Sequence, residues 1–327
     1  MTELEMTLVM TPRTAVLNTA FRTDVLAGLS ARHRAIPARW LYDHVGSKLF
    51  EDITRLPEYY PSRTERSILA DNASQIARLT GAGRAVVEFG SGSSAKTPLV
   101  LSAIAPSAYV PIDICEEFLA ESTRELSRAF PSLPIHPVVA DFTKPLDLPD
   151  LADTPRLGFF PGSTIGNLIA PTAVDLLRTM ADNLGQRAQL LVGIDRIKSE
   201  KVLVPAYADA QGVTAQFNLN LLHRINRELE GTVPVDAFRH EARWNDSEGR
   251  IEMHLEAMRD VRFKVAGATF RMCAGETIHT ENSIKYGPRD ARLLLRAGGW
   301  TPVEEWVDDE QLFAVILAEV TPLRLAP

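Results

Sequence analysis

The run Val86-Val87-Glu88-Phe89-Gly90-Ser91-Gly92-Ser93-Ser94-Ala95-Lys96-Thr97 constrains this chain more than any other segment, because an apolar strand passes through glycines two apart into a helical stretch. Such a turn lets the backbone approach a bulky ligand and aims the free N–H groups of a helix N-terminus at it. Two ligand classes fit. Read as G-x-G, with Glu88 before the first glycine and Asp113 closing the next strand about 20 residues on, the loop suits an adenosine-type cofactor whose ribose hydroxyls Asp113 would hold. Read as Gly90-x-x-x-x-Ala95-Lys96-Thr97, it is a phosphate-binding P-loop lacking its second glycine, with the Glu88 charge set against a triphosphate. The first reading is the better one.

A sizeable core is available, since 45% of the 327 residues are apolar and 24% are charged. The net charge of −7, without any long Lys/Arg run, argues against a nucleic-acid surface. Cys115 and Cys273 lie too far apart in sequence to suggest a disulfide framework or a metal cluster, and the seven histidines show no metal-ligand spacing. No signal peptide or apolar run of about 18 residues is evident, so the expectation is a cytoplasmic protein without a membrane partner.

From residue 84 onward, short apolar strands alternate with helical stretches. Strands are expected at Ala85–Phe89, Tyr109–Asp113, His136–Val139, Leu157–Phe160 and Gln189–Asp195, with helices over Glu116–Phe130 and Ala173–Leu184. That alternation predicts an α/β protein with a parallel, doubly wound, Rossmann-like sheet, whose ligands sit beyond the strand ends at Gly90, Asp113, Asp141 and Gly162. After Asp195 the pattern changes: Phe238–Trp244 and Arg250–Met258 read as a hairpin. The sheet pattern resumes with a helix at Arg289–Ala297 and a closing antiparallel pair, Val303–Val307 and Leu312–Val320. The expected division is a cofactor domain of residues 64–195 plus 287–327 and a substrate-binding α+β lobe of residues 1–63 plus 196–286. Because that lobe already supplies a cover for the sheet, a monomer is expected.

Several separated blocks carry a resemblance: Trp40-Leu41-Tyr42-Asp43, Ile53-Thr54-Arg55-Leu56-Pro57-Glu58-Tyr59-Tyr60-Pro61 with Arg63-Thr64-Glu65, the glycine loop itself, Gly162-Ser163-Thr164-Ile165-Gly166-Asn167, Ile251-Glu252-Met253, and Thr280-Glu281-Asn282-Ser283. In that order and spacing they resemble the S-adenosylmethionine-dependent L-histidine Nα-methyltransferases, which form hercynine in ergothioneine biosynthesis. The resemblance covers nearly the whole chain and implies a class I methyltransferase sheet. For the cofactor, S-adenosylmethionine, it implies contacts from Glu88, Gly90, Gly92 and Lys96, a ribose carboxylate in Asp113, and Asp141 with Phe142 beside the adenine.

For L-histidine, the resemblance implies that Tyr59, Asn167 and Tyr207 hold the α-carboxylate and α-amine, with Gly162 also at the substrate and Tyr42 beside the amine. Glu281 and Ser283 match the pair that holds the imidazole, and Met253 matches a position lining its pocket. Residues two apart in an extended segment share a face, so Glu281 and Ser283 can reach one ring. Catalytic roles fall to Tyr42 and Tyr59, which orient the amine and pass its proton outward; no dedicated base is apparent. Plainer readings stand beside these. Met253 alternates with Ile251 and Leu255 as a core residue would, and Asp141 is placed to cap a helix. Tryptophan or one of its derivatives is an alternative acceptor.

Overall fold

A computed structural model describes residues 12–92, 94–151 and 154–321. Four helices open the chain: α1 (Pro12–Ser30), α2 (His44–Arg55), α3 (Tyr60–Asp71) and α4 (Ala73–Thr80). An alternating region follows, made of β1 (Ala85–Phe89), α5 (Thr97–Ile104), β2 (Ala108–Asp113), α6 (Glu116–Ala129), β3 (Val138–Val139), β4 (Arg156–Phe160), α7 (Ala170–Leu184) and β5 (Gln189–Asp195). Next come α8 (Glu200–Tyr207), α9 (Val213–Glu228), β6 (Phe238–Asn245), β7 (Arg250–Ala257), β8 (Val261–Val265), β9 (Ala268–Met272) and β10 (Thr277–Ile284). The chain then returns through α10 (Pro288–Ala297), β11 (Trp300–Val307) and β12 (Phe313–Val320).

The large sheet has the order β11-β12-β5-β4-β1-β2-β3. Strands β1 to β5 run parallel, β12 lies antiparallel to β5, and β11 lies antiparallel to β12. The fold is therefore the expected Rossmann-like α/β arrangement. Every residue of β1 and β5 is buried, as strands covered on both faces require, and the only charged members are Glu88 and Asp195. Both stand near the C-terminal ends of their strands, where ligands meet such sheets. Two apolar cores line the two faces of this sheet, one built with α7 and α10 and the other with α3, α4 and α5.

A third core joins α1, α2, α8 and α9 to a three-stranded sheet, β10-β7-β6. The predicted hairpin is β6–β7, and β10 adds to its far side. A second hairpin, β8–β9, turns through Ala266 and Gly267, both at positive φ. The segment before the Ala38–Leu41 turn is sewn to β10, with Ile36 N donating to His279 O and His279 N to Arg34 O, each at 2.9 Å. This stitching brings two ends of the sequence to one edge of the site. No helix among the described residues is long and apolar enough to cross a membrane.

Candidate active site

A cavity of about 680 Å³ opens beyond the C-terminal ends of β1, β2 and β4, with α2, α3 and β10 forming its other side. Its cofactor half is built on the glycine loop. Gly90 and Gly92 take φ of +73° and +50°, values that favour glycine, and the N–H groups of Gly90 and Ser91 both donate to Ile112 O, tying the loop to β2. A Cβ on Gly90 would lie 3.2 Å from the Phe142 ring, so the missing side chain lets Phe142 lie against the loop. Asp113 accepts from Gly92 N at 2.9 Å and from Cys115 N at 3.0 Å, and its carboxylate lines the cavity. Burial pushes that carboxyl upward against the pull of these amides. A fixed, acceptor-only carboxylate beside a glycine cradle suits a ribose diol, and an adenosine-type cofactor fits the residues present.

Glu88 and Lys96 also border the cavity, each already engaged. Glu88 Oε2 accepts from Thr97 Oγ1 at 2.8 Å and from the Tyr109 hydroxyl at 2.5 Å. Lys96 pairs with the buried Glu65, which also accepts the Gly162 N–H at 2.9 and 3.1 Å through its two oxygens. These contacts dispose of the P-loop alternative. Its lysine and its hydroxyl, the two groups meant for phosphates and magnesium, are turned to carboxylates of the protein itself.

Burial pushes Glu88 up to about 8, even against the hydrogen bonds from Tyr109 and Thr97. A carboxyl whose folded pKa exceeds its unfolded value, ~4.3, contributes stability that is complete below that value and is lost as pH rises through about 8. Glu88→Gln is therefore expected to flatten the fall in thermal midpoint between about pH 5 and about pH 9. A variant whose midpoint falls as steeply as wild type over that range would assign the loss to other groups.

Asp141 caps no helix. Its Oδ1 closes a tight turn by accepting from Thr143 N at 3.0 Å and Thr143 Oγ1 at 2.5 Å, and the plainer reading of Asp141 as a helix cap is corrected accordingly. The competition is a local one: a short polar side chain offers the backbone an alternative to helix, and Pro145 follows immediately. Phe142 stands edge-on to Phe160, with ring centroids 5.7 Å apart, so the apolar wall beside Asp141 is fixed from behind.

In the other half of the cavity, Tyr42 and Tyr59 line the wall. Phe50 holds both rings, at 5.5 Å from Tyr42 and 6.1 Å from Tyr59. Burial raises both phenols well above their ordinary value, and the Glu281 charge raises them further, so both hydroxyls stay protonated. Asn167 ends the turn Thr164–Asn167 and reaches the same space. That turn docks tightly on β10, since a Cβ on Gly166 would lie 2.8 Å from Ile284 O. Gly162, at φ +78°, lines the wall just before it.

Glu281 also faces the cavity. It is buried, its Oε2 has no partner, and burial pushes its carboxyl up to about 8 despite the opposing charge of Lys285. An orphaned buried carboxylate oxygen costs free energy unless a ligand completes it, and a ring N–H is a suitable donor. Met253, Tyr207 and Ser283 are not part of this wall. Met253 is 2% exposed within the third core. The Tyr207 hydroxyl and Ser283 Oγ are 2.7 Å apart, and Lys285 Nζ donates to them at 2.8 and 2.7 Å while pairing with Asp195 at 2.6 Å. Tyr207 still stacks edge-on against Tyr59, with centroids 6.1 Å apart, and so touches the site through that ring.

Sequence reasoning assigned no role to Glu65, although a signal was present. Pro61, Glu65, Ile68 and Leu69 are the buried stripe of α3, and a carboxylate at that spacing inside an apolar stripe calls for a buried partner. Lys285 and Arg39 were missed as well, since Lys285 pairs with Asp195 and Arg39 with Asp141, both far off in sequence. Among the described residues no group of three or more His, Cys, Asp or Glu is arranged to hold a metal ion.

The sheet order, the glycine cradle and the family match together define an S-adenosylmethionine-dependent methyltransferase. The chain belongs to the family described as histidine-specific, S-adenosylmethionine-dependent methyltransferases, whose model matches residues 21–320. It is 40% identical over 306 residues to a histidine N-alpha-methyltransferase of Mycolicibacterium smegmatis, covering 91% of this chain and 94% of the relative. It is 27% identical to ergothioneine biosynthesis protein 1 of Neurospora crassa, over 88% of this chain and 33% of that longer protein. An L-tryptophan methyltransferase of Psilocybe serbica is 25% identical, with 90% and 91% of the two chains covered.

Proposed function

We propose that this protein trimethylates the α-amine of L-histidine to hercynine, the first step of ergothioneine biosynthesis. The observation that carries the reading is Glu281: a buried carboxylate with an unpartnered oxygen on the wall of the cavity that Tyr42, Tyr59 and Asn167 also line. S-adenosylmethionine supplies an electrophilic methyl carbon on its sulfonium. The protein's part is to present the amine lone pair in line with that carbon, and positioning of this kind supplies much of the rate. Asn167 offers an amide to the substrate carboxylate, while Glu281 anchors the far end of the molecule. Fixed at both ends, the amine is left between the two phenols.

The amine must reach this position unprotonated, although its reference pKa is ~8. Tyr42 and Tyr59 stay protonated, so they serve as hydrogen-bond acceptors for the amine N–H groups and not as ionised bases. Water carries the proton outward. As N–H groups are replaced by methyls, the faces of these rings favour the cation that forms. The same reading takes the enzyme as a monomer, since the third core already covers the cavity, and as a cytoplasmic protein with small-molecule substrates and no nucleic-acid or membrane partner.

Mass spectrometry after incubation with S-adenosylmethionine and each of the twenty amino acids tests the proposal. A trimethylated histidine product, strongly preferred over all others, is expected. A tryptophan product would replace the acceptor and keep the chemistry; no methylated amino acid at all would overturn the reading.

A further inference from the structure

Arg39 enters the cavity wall from the Ala38–Leu41 turn, opposite the sheet's ligand edge. Its guanidinium lies between two carboxylates. Nη2 donates to Asp24 Oδ2 at 2.5 Å, and Nε lies 3.7 Å from Asp141 Oδ2. The Asp24 end is firmly set, because the same oxygen accepts the Trp40 indole N–H at 2.8 Å, and the guanidinium stands 5.1 Å from the Trp40 ring centroid. At the Asp141 end, Oδ1 is occupied by both donors of Thr143, so Oδ2 is the oxygen left for a ligand. A separation of 3.7 Å is an ion pair without a hydrogen bond, and it leaves the Oδ2 lone pairs open.

We propose that Arg39 is a cofactor-positioning residue: it holds Asp141 Oδ2 toward the cavity as an acceptor for the amino group of adenine. The inference rests on the reading of Asp141 as the adenine carboxylate. The planar fork of arginine suits the task, because one end grips Asp24 while the other attracts Asp141; lysine, a single point of charge, cannot span both in the same way. The selectivity follows from hydrogen-bond polarity. The 6-amino group of adenine donates to a carboxylate, whereas the 6-oxo group of hypoxanthine presents another acceptor to it.

Isothermal titration calorimetry with S-adenosylhomocysteine and S-inosylhomocysteine, without any acceptor present, reads this directly. Wild type is expected to bind the adenosyl ligand more tightly. Arg39→Met is expected to weaken adenosyl binding about tenfold while weakening inosyl binding less, so that the ratio of the two affinities narrows. Arg39→Lys is expected to fall between, and it carries the test should the methionine variant fail to fold. Equal weakening of both ligands would reduce Arg39 to a purely structural role, and unchanged affinities would remove it from the site; either overturns the inference. Wild type that binds both ligands equally would take Asp141 from the adenine and the inference with it, leaving the methyl-transfer reading intact. Wild type that binds neither would sink the proposed function itself.

Discussion

Glu281→Gln is expected to lower kcat/KM for histidine about a hundredfold near pH 8, the loss of one hydrogen bond to a buried charged acceptor. It should also remove one of two pH dependences. Burial holds the wild-type carboxyl at about 8 in the empty site, so below that pH it is largely protonated and is not an acceptor-only group. Its ionisation makes kcat/KM rise as pH increases toward about 8, and deprotonation of the substrate amine, at ~8, adds a second rise. Below both values, log kcat/KM should climb more steeply with pH in wild type than in the variant, by up to about one further unit per pH unit. The imidazole is neutral above ~6.5, so it contributes little to this limb near its top. A glutamine variant whose profile superimposes on wild type would separate Glu281 from the ring. Comparison with an apolar amino acid sharpens the assignment, because only histidine should suffer the loss.

The parts of this site that sequence exposes are those made by short, contiguous chemistry. A strand leading into Gly90-Ser91-Gly92 and a carboxylate closing the next strand are recognisable locally, and the structure joins them by a 2.9 Å bond from Gly92 N to Asp113. The strand pattern was equally legible, since buried parallel strands read as apolar runs. Glu281 shows where spacing falls short. A bulge between His279 and Glu281 shifts the register against β7, so Thr280 and Glu281 are both buried although they are consecutive. Strict alternation cannot describe that segment. What no local pattern reveals is pairing between distant segments. Arg39 meets Asp141 across about a hundred residues, and Lys285 reaches Asp195 and Tyr207 only because the chain between β5 and α10 returns to the sheet beside its point of departure.

Gly193→Ala is expected to cost about 3–5 kcal/mol in stability and to abolish most cofactor binding, although Gly193 is not among the residues lining the cavity. It sits in the middle of β5, where a Cβ would lie 2.0 Å from Glu65 Oε1 and 3.1 Å from the Phe313 ring. Neither neighbour can yield cheaply. Phe313 is fully buried, and Glu65 is held by its ion pair with Lys96 and by the N–H of Gly162. Driving Glu65 away leaves the Lys96 charge without its partner and frees Gly162, so the cofactor loop and the start of the Asn167 turn lose their common anchor. Glu65→Gln separates the two effects: it keeps the volume and an acceptor for Gly162 while removing the charge, and it should weaken S-adenosylhomocysteine binding with a smaller loss of stability. Thermal unfolding and calorimetry on both variants decide the matter. If Gly193→Ala melts and binds like wild type, then Glu65 has room to move, and the anchor joining sheet, loop and turn is not the one described.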